Sequence, residues 1–120
     1  MRSKDVFNFQ EYEMADGEFV TMSTAPILLL SLRNKNEKAY EKISKVLVKG
    51  VNEKDVMEVY EFMHSAYLNA NQDEEKENLM TFKEFIENAN PDYMKNVNVV
   101  QEMISPSKKQ DSEQPSEEQQ

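Results

Sequence analysis

His64 is the only histidine in the chain, and Ser65 follows it directly. A serine beside an imidazole raises the question of nucleophilic catalysis. Neighbouring residues on a helix point about 100° apart, so the hydroxyl is not held against the ring nitrogen as a nucleophile must be held against its base. His64 reads instead as a structural side chain at the boundary of an apolar helical stripe. Only two glycines occur, too few for the glycine-rich loops that wrap phosphates. With 23 Asp and Glu side chains, paired carboxylates arise by chance. No catalytic residue is assigned, and the chain is expected to be non-enzymatic.

Calcium is the metal that the residue types suggest. Residues 73–84 resemble an EF-hand loop, with Asp73 at its first position, Glu84 at its last and Phe85 opening the exit helix. Glu75 and Glu77 stand where shorter oxygen ligands are expected, Asn78 replaces the turn glycine, and no partner loop occurs elsewhere. An acidic connection running into a helix capped by Thr81 explains the same residues. No metal or cofactor is therefore assigned. Lys35, Lys38, Lys42, Lys45 and Lys49 form a basic run, but Glu37 and Glu41 interrupt it, as on a solvated helix face.

Acidic residues outnumber basic ones 23 to 14, giving a net charge of −9 that repels phosphate backbones, so no nucleic-acid partner is expected. Cysteine is absent, which removes disulfides and thiolate chemistry. No secretion signal follows Met1, and the apolar stretch from Ala25 to Leu30 is too short to cross a bilayer. A soluble cytosolic protein is the expectation, without a membrane partner.

The elements follow from periodicity and punctuation. Asp16-Gly17 between two runs of aromatic and aliphatic residues predicts a hairpin with a two-residue turn, placing Met14 opposite Phe19 and Tyr12 opposite Thr21. Thr24 and Pro26 predict the start of a first helix, and residues 34–36 a break. A second helix is expected over residues 37–49, with Tyr40, Ile43 and Leu47 inward and Gly50 ending it. The third, capped by Asn52, carries the clearest stripe: Val56, Val59, Tyr60, Met63, Tyr67 and Ala70. Thr81 and Glu84 predict a capping box, with Phe82, Phe85 and Ile86 inward. Pro91 predicts the first position of a last helix whose seam is Tyr93, Val97, Val100 and Ile104. The fold class is thus mainly α: an N-terminal β-hairpin packed on four to five short helices within residues 1–104. Residues 105–120 contain no hydrophobic side chain and read as a disordered acidic tail.

The order of segments adds a resemblance. After the hairpin come Ile27-Leu28-Leu29-Leu30-Ser31-Leu32-Arg33-Asn34-Lys35-Asn36 and Ala39-Tyr40-Glu41-Lys42-Ile43. Next are Val59-Tyr60-Glu61-Phe62-Met63-His64-Ser65-Ala66-Tyr67-Leu68-Asn69-Ala70-Asn71 and Met80-Thr81-Phe82-Lys83-Glu84-Phe85. Across residues 7–85 the chain resembles the tail assembly chaperones of long-tailed bacteriophages of Gram-positive hosts. The acidic stretch 72–78 departs from that pattern. The resemblance implies a protein that works in the host bacterial cytoplasm, binds the tape measure protein, assists tail tube assembly and is absent from the mature virion. It also implies a longer frameshifted form, for which Lys108-Lys109 could mark an adenine-rich slippery codon run.

Helix one carries the expected contact. Ile27, Leu28, Leu29, Leu30 and Leu32 cover more than one helical face, so a thin domain cannot bury them all. The surplus suits an amphipathic client helix or a second copy in a homo-oligomer; the tail tube protein is a further partner that the resemblance implies. Eight methionines add adaptable apolar surface. The competing expectation is an acidic adaptor or inhibitor that covers a basic partner surface.

Overall fold

The computed structural model describes residues 7–105. Of the tail expected over residues 105–120 only Ser105 falls among them, and Lys108-Lys109 lie outside. The described elements are β1 (Gln10–Glu13), β2 (Phe19–Met22), α1 (Pro26–Lys35), α2 (Glu37–Lys49), α3 (Val56–Ala70), a 3₁₀ turn (Lys76–Asn78), α4 (Phe82–Asn88) and α5 (Tyr93–Ile104). The fold is mainly helical, with the expected N-terminal antiparallel hairpin. No helix among the described residues is long and apolar enough to cross a membrane.

The hairpin register differs from expectation by one residue. Glu13 pairs with Phe19, Tyr12 with Val20, Glu11 with Thr21 and Gln10 with Met22. The loop holds three residues rather than two: Met14 N–H donates to the Glu18 carbonyl and Gly17 N–H to the Met14 carbonyl. Gly17 takes the positive φ of 91° that such a turn places on its last residue, a conformation costly for a side chain. The added residue puts Tyr12, Met14, Val20 and Met22 on the inner face and leaves Phe19 60% exposed. A one-residue slip changes which face each side chain occupies.

Helix α3 is the hub. It packs against α1, α2, α4, α5 and β2, so it buries a wider sector than a one-sided stripe. Val59, Met63 and Tyr67 are buried as expected, and Phe62 and Ala66 join them. Val56 is instead 44% exposed, while Tyr60 and Ala70 are half-buried. On α2 the inward face is Ala39, Ile43 and Val46, whereas Leu47, one position further round, is exposed. On α5, Val97 and Val100 are buried with Asn96 and Met103; Tyr93 and Ile104 only flank the core. Phe85 is fully buried on α4, and Phe82 and Ile86 are half-buried beside it.

Several helix starts shift by one to three residues for identifiable reasons. Ala25, not Thr24, precedes α1, because the Ser23 hydroxyl already accepts from Ala25 N–H and turns the chain there. Asn52 makes a side-chain turn to Lys54 N–H, so the cap of α3 falls to Asp55, which accepts from Glu58 N–H. Asn90 does the same toward Asp92 N–H, placing Pro91 in the turn and giving the cap of α5 to Asp92. Asn36 closes α1 and caps α2 through Ala39 N–H, where the break was expected. The Thr81–Glu84 capping box forms in full.

Candidate functional site

The structure divides the apolar residues of α1 between two faces. Leu29 and Leu32, three apart, are 8% and 2% exposed and belong to the core. Ile27 and Leu30, also three apart, are 47% and 69% exposed. Residues at that spacing lie side by side on a helix surface, so the latter two form a small apolar step open to solvent. Leu28 is half-buried between the faces.

That step is held rigidly. Gln72 donates to the Leu28 carbonyl at 2.8 Å and to the Asn69 side-chain oxygen at 3.0 Å, and accepts from the Ser31 hydroxyl at 2.6 Å. Asn69, fully buried, donates to the Ser23 carbonyl at 3.0 Å. The entry and middle of α1 are therefore tied to the end of α3 by amide side chains. The Ser23 hydroxyl also donates to the carbonyl of Phe7. This brings the stacked rings of Phe7 and Phe9, 39% and 51% exposed, to the junction between hairpin and α1.

A second feature is a groove of about 460 Å³ where the end of α1 meets the end of α3 and the following connection. Leu32, Leu68, Leu79 and Met80 contribute apolar walls, while Lys35, Lys76 and Glu74 contribute charge. A shallower hollow continues from it past Asn36 and Leu68 to His64, Phe82 and the Lys42–Glu61 pair. That ion pair, 3.1 Å long, is more than one-third exposed on both sides, so it contributes at most about 1 kcal/mol.

His64 is a packed histidine. Its Nε2 lies 2.9 Å from the Met80 carbonyl, and its ring sits 5.6–6.0 Å from those of Tyr67, Phe82 and Phe85. Burial pushes its pKa below the ordinary value, and the Met80 carbonyl opposes part of that shift. Ser65 is buried beside it in the chain. Tyr67 completes the arrangement by accepting from Met80 N–H at 3.0 Å. The cluster therefore fastens the connection before α4 onto α3.

The EF-hand-like segment does not gather its acids. Glu84 accepts from Thr81 N–H within the capping box, and Lys76–Asn78 form the 3₁₀ turn. No group of three or more His, Cys, Asp or Glu side chains converges among the described residues. The lysines of α2 are exposed, as on a solvated face.

Periodicity missed one polar node. Asn96, fully buried on α5, accepts from the Tyr12 hydroxyl at 2.7 Å and donates to the Asn90 carbonyl at 2.8 Å and the Tyr60 hydroxyl at 3.1 Å. The Tyr12 hydroxyl in turn accepts from Asn90 N–H at 2.9 Å, and burial raises its pKa. The only legible signal was a polar residue beside Val97 on an otherwise apolar face.

Comparison with protein-family models, curated proteins and solved structures finds no match to this chain.

Proposed function

We propose that the protein is a non-enzymatic tail assembly chaperone of a long-tailed bacteriophage, acting in the host cytoplasm on the tape measure protein and assisting tail tube assembly. The observation that carries this reading is the division of α1: Leu29 and Leu32 anchor the helix, while Ile27 and Leu30 remain open to solvent. An amphipathic client helix buries its seam by laying it along such a step. Full burial of each side chain contributes roughly 1.5–3 kcal/mol before the costs of association, so two anchors support a transient complex. A client that must later be released to the tail tube requires that kind of affinity. The net charge of −9 keeps undocked copies apart while an apolar client is held.

Affinity capture from phage-infected or prophage-induced cells tests the proposal. Recovery of a long, coiled-coil-rich protein is expected, and the complex should survive moderate salt because its contacts are apolar. Recovery of a polymerase, nuclease or repressor in a complex that weakens steeply with salt would favour the acidic adaptor instead.

A further inference from the structure

Among the described residues, the hairpin has one edge closed and one open. Thr21 of β2 and Ser23 just past its end lie on the outer edge, which α3 and its C-cap Asn71 occupy: the Thr21 carbonyl accepts from Asn71, the Ser23 carbonyl accepts from Asn69, and Ser23 N–H donates to the Ala66 carbonyl. Among the described residues, β1 has β2 as its only strand neighbour. The bond from Met14 N–H to Glu18 fixes which residues face inward along the ladder. In this antiparallel register Tyr12 and Gln10 bond across to β2, so the amide and carbonyl of Glu11 and of Glu13 point away from it. Ala15 N–H, next along that edge, is taken by the Asn88 carbonyl, which marks where the open segment ends.

The side chains along that edge select what can pair with it. Glu11 and Glu13 are exposed, on the solvent face, with the exposed ring of Phe9 just before them. On the other face, the side-chain oxygen of Gln10 is buried with no hydrogen-bond partner. A second copy of β1 laid antiparallel would set Glu11 and Glu13 against the same carboxylates, a destabilising cross-strand pairing. A strand with basic residues at alternate positions meets the opposite condition.

We propose that the open edge of β1 docks an extended segment of a partner protein that carries basic residues at alternate positions. Main-chain bonds to Glu11 and Glu13 supply the pairing, and the two carboxylates select the sequence. This surface is separate from Ile27 and Leu30 and does not depend on the client proposed for them.

The probe is a short capped peptide of alternating lysine and threonine, titrated into the full chain. Saturable binding is expected, with slowed hydrogen exchange at the Glu11 and Glu13 amides. N-methylation of the peptide at alternate amides, which keeps its charge but removes the ladder bonds, should weaken binding by about tenfold or more. The double variant Glu11→Lys/Glu13→Lys should transfer the preference to a glutamate–threonine peptide. Equal binding of the N-methylated peptide, with unchanged exchange at Glu11 and Glu13, would reduce the effect to bulk charge and overturn the proposal. So would absence of binding, or protection of the two amides that rises with protein concentration alone, since that would assign the edge to a second copy. Should the double variant not fold, the N-methyl comparison on the unaltered chain decides.

Discussion

Replacing Asn96 with alanine should destabilise the domain far more than its small side chain suggests. The side chain is fully buried and makes three hydrogen bonds, to Tyr12, Asn90 and Tyr60. Tyr60 is half-buried and can turn to water, but the Tyr12 hydroxyl loses its acceptor and the Asn90 carbonyl its donor. Each of the two stranded groups costs about 1–3 kcal/mol, so the expected loss is roughly 2–6 kcal/mol out of a total near 5–15. Urea unfolding followed by circular dichroism gives the value for Asn96→Ala, Tyr12→Phe and the double variant. Removing the Tyr12 hydroxyl when Asn96 is already absent also removes a stranded donor, so the double variant should fall short of the sum by at least about 0.5 kcal/mol. A loss below about 0.5 kcal/mol for Asn96→Ala, or strict additivity, would show that the node does not hold the hairpin to α5.

Other expectations are simpler to read. The folded pKa of His64 lies below its ordinary value near 6.5, so on acidification the unfolded chain takes the proton first. The stability it contributes is present above pH 6.5 and lost as pH falls through the folded value, and NMR titration of this single histidine should show a midpoint below 6.5. Thr81→Ala breaks the capping box and should cost about 0.5–2 kcal/mol in thermal or urea unfolding, whereas no change would show that α4 is held by packing alone. Leu30→Asp should leave stability within about 0.5 kcal/mol of the parent, because the side chain is already in water. Leu29→Asp should fail to fold or lose most of its stability, since it places a carboxylate in the core.

Local punctuation was legible in the sequence where a single side chain decides the geometry. The Asn36 break, the Thr81–Glu84 box and the existence of the hairpin at Asp16-Gly17 all follow from short-range bonds. The hairpin register was not legible, because two- and three-residue loops both use a glycine at positive φ and only the closing bond from Met14 to Glu18 distinguishes them. Helical stripes were read too narrowly at α3, where five neighbouring elements cover positions such as Phe62 and Ala66 that a one-sided pattern assigns elsewhere. Asn52, read as a cap, proved to be a turn residue three positions before the cap Asp55, and Pro91, read as the first position of α5, lies in the turn that Asn90 makes, because an Asn side chain satisfies either role. At the candidate surface, the excess of apolar residues on helix one was visible, but periodicity alone did not separate anchors from open positions. That division required knowing that α1 packs against both α2 and α3, with Leu29 and Leu32 in the core. The buried amides Asn69 and Asn96 gave no hydropathy signal, since their value lies in partners distant in sequence.

Co-expression with a tape measure protein from an induced prophage measures the proposed role most directly. The tape measure protein should remain in the soluble fraction with the unaltered chain and precipitate with the folded Ile27→Asp/Leu30→Asp variant. Equal solubility with the two forms, or no gain over the tape measure protein alone, would contradict a chaperone that works through this face of α1.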